Sequence, residues 1–261
     1  MSPYRPKKRL GQNFLADEAI AESIVKAIDP QPDDHVVEIG PGQGALTKYL
    51  LAEKCYVTAI EFDRDLLPIL KSNIGNKPNL IIIAADIMKV AVDDLPENAK
   101  LIGNLPYNIS TAVIERLYDF KTRVKLAVFT VQAEVAARLA ASPGCSDYGS
   151  LTVIMQAGFE ISTLFDIPPH AFNPAPQVVS SVIKIAPIER EMSEFENFKT
   201  FIRGCFRQKR KTLVNSMEIG LNIPKDMCES LIGNAGHKSD VRAEQLGFDE
   251  FMRLYELWRA T

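Results

Sequence analysis

Two short strings in this chain of 261 residues combine side chains that can do chemistry. Glu38-Ile39-Gly40-Pro41-Gly42-Gln43-Gly44 sets three alternate glycines behind an acid and an apolar run. Asn104-Leu105-Pro106-Tyr107 sets an amide, a rigid imide and an aromatic ring behind another such run. Gly40, Gly42 and Gly44 leave little side chain between the backbone and a ligand. Their spacing is G-x-G-x-G, and Ala45 stands where the dinucleotide fingerprint would carry its third glycine. Glu38 would also repel a dinucleotide phosphate.

The loop therefore suits S-adenosylmethionine, a methyl donor that carries no phosphate and whose ammonium Glu38 can hold directly or through water. Glu61 closes the next apolar run, where its carboxylate can take both ribose hydroxyls. An acid there fits a nicotinamide dinucleotide equally, so Glu61 alone does not discriminate. Asp86 closes the third run and can accept from the donor's adenine amine. Polar groups at successive strand ends are the expected geometry of a ligand crevice at the carboxyl edge of a parallel sheet. A bare tight turn is the competing reading of the glycines, and Glu61 and Asp86 count against it.

The second string fits a planar amine as acceptor. Pro106 biases Leu105 toward extended backbone, which turns carbonyl oxygens outward. The Asn104 side-chain oxygen and the Leu105 or Pro106 carbonyl can bind the two N–H groups of an amine such as that of adenine. They would favour a pyramidal nitrogen and stabilise the positive charge that develops on attack. Tyr107 can stack on the base. The product cation loses its proton to water, so no general base is required and catalysis is mainly positioning. A plain Asn–Pro turn is the competing reading.

These strings need a scaffold, and the apolar pattern supplies one. Runs at His35–Ile39, Tyr56–Ile60, Leu80–Ala84, Leu101–Gly103 and Leu126–Val131 read as strands. The faces Leu46/Tyr49/Leu50, Leu66/Leu67/Ile69/Leu70 and Val113/Ile114/Leu117 between them read as helices. Alternation of this kind implies right-handed βαβ crossovers and a parallel sheet. Phe159–Ile167 and Val178–Ile185, separated by a loop with Pro168, Pro169, Pro174 and Pro176, read as a closing antiparallel pair. A charged stretch, Glu189–Glu196, precedes helix-type sequence, so a domain boundary is expected near residues 187–193. The last helix would be capped by Asp249 and bury Phe251, Leu254, Tyr255 and Trp258.

Composition narrows the class. Four cysteines without a C-x-x-C and three scattered histidines argue against a zinc site or a disulfide framework, and no metal is expected. The opening Met1-Ser2-Pro3-Tyr4 lacks the order of a signal peptide, and no apolar run spans a bilayer, so a cytoplasmic protein away from membranes is expected. The net charge of −3 excludes a uniformly basic surface, but the positive charge is local. Arg5, Lys7, Lys8 and Arg9 precede any acid, and the run from Lys199 to Lys211 holds six basic residues and no acidic one. On a helix over 198–213, Lys199, Arg203, Arg207 and Arg210 would fall within about 80° of one another, opposite Phe198, Phe201, Ile202, Cys205 and Leu213. A stripe of that kind suits duplex RNA, which is read through phosphates and shape. An ordinary solvated face is the plainer alternative.

At this point the chain resembles the adenine N6,N6-dimethyltransferases of small-subunit (16S-type) ribosomal RNA over nearly its whole length. Leu10-Gly11-Gln12-Asn13-Phe14-Leu15 is similar to that family's N-terminal signature, Asn104 to Ser110 to its catalytic motif, and Phe172 to Ser180 to its substrate-side loop. The resemblance implies a Rossmann-like methyltransferase domain over residues 1–188 and a small all-helical RNA-docking domain over 189–261. It implies that Asn13, Leu15, Gly40, Glu61, Asp86 and Asn104 contact S-adenosylmethionine, which leaves as S-adenosylhomocysteine. Tyr107 and Phe172 would sandwich the target base, with Phe172 held rigid and exposed by the prolines around it. The implied substrate is a pair of adjacent adenosines in a loop near the 3′ end of small-subunit rRNA. A partly assembled subunit as partner and a monomeric enzyme are expected. Methylation of large-subunit rRNA and a non-catalytic assembly role are the alternatives. An oxidoreductase is remote, lacking the third glycine and an acid–base pair.

Overall fold

The computed structural model describes residues 4–190, 192 and 194–261; Glu191 and Ser193, inside the expected boundary stretch, lie outside it. Packing divides the chain into two units, Met1–Ala136 with Ile161–Pro187, and Ala137–Glu160 with Ile188–Thr261. The segment Ala137–Glu160, expected to belong with the sheet, thus packs with the C-terminal helices.

The first unit opens with a short strand, β1 (Phe14–Leu15), and helix α1 (Glu18–Ile28). Asp17 starts α1 by accepting the Ile20 N–H at 3.1 Å, which satisfies one of the helix's free donors. The buried stripe Ala21, Ile24, Val25 and Ile28 follows the 3.6-residue period. There follow β2 (His35–Ile39), α2 (Thr47–Ala52), β3 (Tyr56–Glu61), α3 (Leu67–Ile74), β4 (Leu80–Ala84), β5 (Ala99–Asn104), α4 (Ser110–Arg116) and β6 (Val124–Gln132). After α5 (Ala133–Leu139) and α6 (Ser150–Gln156) come β7 (Phe159–Ile167), β8 (Phe172–Asn173) and β9 (Ser180–Pro187).

The main sheet has the order β4-β3-β2-β5-β6-β9-β7. The strands from β4 to β6 pair in parallel, and β9 closes antiparallel onto β6. Central strands β2 and β5 are buried on both faces, which is why they read as unbroken apolar runs. The same kind of run in β4 lies at an edge and leaves Ile81 62% exposed, so its apolarity exceeds what burial requires. A separate two-stranded ladder pairs Phe14 with Asn173 and Leu15 with Phe172.

In the second unit, α7 (Phe195–Cys205), α8 (Leu213–Leu221), α9 (Lys225–Asn234) and α10 (Phe248–Arg259) follow one another. The single helix expected over 198–213 does not form: α7 ends at Cys205, and residues 206–212 turn the chain back into α8. Glycine makes this possible, because a Cβ at Gly204 would lie 2.3 Å from Leu221 and one at Gly220 would lie 2.3 Å from the Gly204 carbonyl oxygen. The two helices approach too closely there for any side chain. Helix α10 starts two residues earlier than expected, with Gly247 as its cap residue and the Gly247 N–H donating to Glu250 at 2.7 Å. Asp249 lies within the first turn, where an acid favours the helix dipole. Phe251, Leu254 and Tyr255 are buried as expected, whereas Trp258, expected with them, is only half-buried near the end of the helix.

Close packing also governs the centre of the first sheet. A Cβ at Gly103 would lie 2.5 Å from the Ile39 carbonyl oxygen, so β2 and the loop behind it would have to shift. Gly103→Ala should destabilise the chain by about 1–3 kcal/mol, read from the urea midpoint. Gly233→Ala in α9 has nothing within 4 Å of the new methyl and should be neutral or stabilising by up to about 1 kcal/mol.

Candidate active site

Parallel pairing brings the carboxyl ends of β2, β3, β4 and β5 to one edge of the sheet. A cleft of about 310 Å³ opens there, within the first unit. Asn13, Leu15, Glu38, Gly40, Gly42, Glu61 and Asp86 line it, and so do Asn104, Leu105, Pro106 and Tyr107. Donor and acceptor strings therefore meet in one site.

Two expected members are not in it. Gly44 is absent from the lining, and a Cβ there would lie 2.9 Å from Ile74 and 3.0 Å from Leu70, so this glycine serves the packing of the loop on α3. Phe172 is 4% exposed and joins the apolar cluster that contains Leu15, Ile24 and Val182. The prolines make its loop stiff, but pairing of β8 with β1 turns the ring into the core, and it is no exposed stacking platform.

Gly40 has φ +68°, and nothing lies within 4 Å of the place a Cβ would occupy. A side chain there would fill space that a ligand can use. Gly42 is different: a Cβ would come within 3.0 Å of the Phe14 ring, which covers the loop.

Glu38 is 1% exposed, and Thr47 Oγ1 donates to its Oε2 at 2.6 Å. Burial pushes its carboxyl up to about 7, and the nearby Glu61 adds to the rise. Glu61 accepts the Gly42 N–H at 3.0 Å and the Asp63 N–H at 2.7 Å, so each oxygen keeps a further lone pair for a ligand. Burial raises its pKa as well, against those backbone bonds. Asp86 uses Oδ1 to accept the Met88 N–H at 3.0 Å at the start of a short turn. The lining carries four acids and no Lys, Arg or His among the described residues. That set fits a cationic, phosphate-free ligand with hydroxyl and amine donors, as S-adenosylmethionine is, and does not fit a dinucleotide.

Across the cleft, Asn104 Nδ2 donates to the Asn13 carbonyl at 2.8 Å. A carbonyl accepts only from the amino side of an amide, so the bond fixes which way Asn104 faces and leaves Oδ1 as its outward acceptor. Of the two carbonyls expected beside it, that of Pro106 already takes the Ile109 N–H at 3.1 Å, which favours Leu105 for the role. The Tyr107 hydroxyl and Ser180 Oγ lie 2.6 Å apart and hold the ring by its polar end.

Comparison with known proteins places this geometry. The family model described as ribosomal RNA adenine dimethylase matches residues 4–258. The chain belongs to that family. It is 37% identical over 257 residues to the ribosomal RNA small subunit methyltransferase A of Pseudomonas savastanoi pv. phaseolicola, covering 96% of this chain and 94% of the relative. It is 41% identical over 254 residues to the protein of the same name from Xanthomonas campestris pv. campestris, covering 95% and 94%. A solved dimethyladenosine transferase from Plasmodium falciparum superposes with a TM-score of 0.82 at 26% identity, over 95% of this chain and 98% of that one. The 23S rRNA methyltransferase ErmE gives 0.68 at 25% identity, over 94% and 99%.

For a member of the adenine dimethylase family, positive charge outside the cleft matters too. Lys7 is not available to a partner, because its Nζ lies 2.6 Å from both Asp63 and Asp65, which raise its pKa. Lys199 pairs with Glu196 on its own helix and sits over the Phe195 ring. Arg207 and Arg210 fall in the turn after α7, not on a helical stripe with Lys199 and Arg203. Arg5, Arg9, Arg203, Arg207 and Arg210 are exposed, and the Lys8 side chain lies outside what is described. Sequence reading missed Gln12, Thr47, Asp63 and Ser180. No local signal marks Asp63, since an acid just after a strand is ordinarily solvated.

Glu38 yields a signed prediction. With its carboxyl at about 7 in the free protein, raising the pH from about 5.5 to about 7 takes its ionised fraction from a few per cent to about half and should tighten S-adenosylhomocysteine binding roughly tenfold. Over the same window the free protein should lose stability, because the folded acid holds a proton that the unfolded one, with an ordinary carboxylate pKa, has released. Calorimetric titration across that range should show the rise, and Glu38→Gln should flatten it.

Proposed function

We propose that this chain transfers methyl groups from S-adenosylmethionine to N6 of two adjacent adenosines in a loop near the 3′ end of small-subunit rRNA. The product is N6,N6-dimethyladenosine, formed during ribosome biogenesis. The observation that carries the reading is the meeting of a cleft lined by acids, with no basic residue to hold a phosphate, and an Asn104 amide whose outward oxygen is fixed. When bound, the donor supplies an electrophilic methyl carbon and departs as S-adenosylhomocysteine.

The chain's own residues do the rest. Glu38 and Glu61 hold polar groups of the donor, and Gly40 lets the backbone approach it. Asn104 Oδ1 and the Leu105 carbonyl accept the adenine N–H groups, which localises the nitrogen lone pair and stabilises the charge that develops. Tyr107, tethered by Ser180, stacks on the base. After the first transfer one N–H remains, and one of the two acceptors suffices to hold it for the second.

The relatives' names support small-subunit RNA as the substrate class. The likeness to ErmE supports large-subunit RNA as a second reading, at a lower TM-score. Arg203, Arg207 and Arg210 in the C-terminal unit are assigned to docking structured RNA through phosphates, and Arg5 and Arg9 to a further contact. A flipped adenine costs least when taken from a loop. The reading takes the chain as a cytoplasmic monomer acting on partly assembled subunits. No helix among the described residues is long and apolar enough to cross a membrane, and no group of three or more His, Cys, Asp or Glu among them could hold a metal ion.

Pure protein, radiolabelled S-adenosylmethionine and subunits from a strain lacking the modification test the reading. Label should enter small-subunit RNA as N6,N6-dimethyladenosine, and Asn104→Ala should cut turnover at least about a hundredfold while donor binding persists. Label confined to large-subunit RNA would move the substrate, and unchanged turnover in Asn104→Ala would remove its role. Arg207→Ala with Arg210→Ala should weaken RNA binding and lower the slope of log affinity against log salt by about two. An unchanged slope would remove the turn from the interface.

A further inference from the structure

Asp63 lines the cleft, is 5% exposed, and has no part in the transfer described above. Its carboxylate instead gathers the chain's N-terminal segment. Lys7 Nζ lies 2.6 Å from Oδ1, and Gln12 Nε2 donates to Oδ2 at 3.1 Å. The Tyr4 hydroxyl lies 2.7 Å from Asp63 Oδ2 and 2.7 Å from Gln12 Oε1, and having one proton it donates to one of them at a time. Gln12 Oε1 also accepts the Lys7 backbone N–H at 2.7 Å. Three residues spread over nine positions thus converge on one buried acid.

The next residue along the chain is Asn13, whose carbonyl takes Asn104 Nδ2. Phe14 follows, packed on Gly42 and edge-on to Tyr4 with ring centroids 5.8 Å apart. Residues near a chain end stay ordered only when tied down, and charge-assisted bonds to a desolvated acid are the strongest ties in this segment. We infer that Asp63 is a positioning residue: by holding the segment from Tyr4 to Gln12 it sets the Asn13 carbonyl, which fixes the amide of Asn104 and so aims Oδ1 at the acceptor nitrogen. The inference rests on the reading of Asn104 given above. The acid is suited to the task because it stays charged. Burial would raise its pKa, but Lys7, Tyr4, the Asp65 N–H and Gln12 outweigh that and hold it at about 2.

Four variants of the full chain test this: Asp63→Asn, the pair Tyr4→Phe with Lys7→Met, Asn104→Ala, and Asp63→Asn combined with Asn104→Ala. Each is measured for single-turnover methyl transfer at saturating donor, for tryptic cleavage after Lys8 or Arg9, sites that every variant keeps, and for its thermal midpoint. Asp63→Asn and the Tyr4/Lys7 pair should each slow transfer about tenfold to a hundredfold and speed cleavage of the segment. The midpoint should stay within about 3 °C of the parent. On the Asn104→Ala background, Asp63→Asn should cost less than about twofold, because the group it positions is gone. Full multiplication of the two losses would overturn the inference, as would a freely cleaved segment with an unchanged rate. If Asp63→Asn does not fold, the Tyr4/Lys7 pair decides alone, since it leaves the buried acid in place. Asn104→Ala with parental turnover would overturn the reading of Asn104 itself, and that result is visible without the other variants.

Discussion

The candidate site depends on the register of four parallel strands. Ile39 is paired with Ile60, and Glu61 with Ala84, so β2, β3 and β4 end within a residue or two of one another. Asn104 closes β5 beside Thr130. A slip of one residue in any ladder would turn the terminal acid to the opposite face of the sheet. Burial of β2 and β5 on both faces is what resists such a slip. It also imposes the electrostatics, because the same packing strips water from Glu38 and Glu61 and raises both pKa values. The cleft is held in a state that a cationic ligand relieves, and stability given up at a site in this way is the usual mark of function.

A second constraint comes from outside the sheet. The chain before α1 reaches the site through the two-residue β1–β8 ladder and the Asp63 cluster, not through a core of its own. This placement changes the meaning of several residues. Leu15 and Phe172 become part of the apolar cluster beneath the ladder. Asn13 contributes a main-chain carbonyl, a role that no side-chain motif advertises. Lys7, one of a run of four basic residues, is half-buried and paired with Asp63 and Asp65. Phe172 is the instructive case, since four nearby prolines argue for a rigid loop but say nothing about which face of it is wet.

Positive charge in the C-terminal unit shows the same limit. The 100° periodicity that aligned Lys199, Arg203, Arg207 and Arg210 assumed an unbroken helix. Gly204 and Gly220 instead allow α7 and α8 to touch backbone to backbone, and the chain must reverse between them. The basic residues survive as an exposed turn with Arg203 at the end of α7, minus Lys199, which its own Glu196 neutralises. Local charge density was readable, whereas its arrangement was not.

Much of the fold was legible in the sequence because the signals behind it are local. Alternating strands and helices, with His35–Ile39, Leu80–Ala84 and Phe159–Ile167 at their observed bounds, follow from apolar runs and the turn residues between them. The glycine loop, Glu61, Asp86 and the Asn104 string followed too, since each sits where a strand must end, and parallel topology brings strand ends together. Tertiary structure alone decided which glycine faces the cleft and which faces α3, that Phe172 is core, and that Ala137–Glu160 packs with the C-terminal helices. It alone decided that Lys7 is spent on Asp63 and that Asn13 orients Asn104. The physical reason is common to all of these. A residue's type fixes what it can bind, but its partner is set by contacts across tens of residues of chain, and those exist only once the sheet has closed.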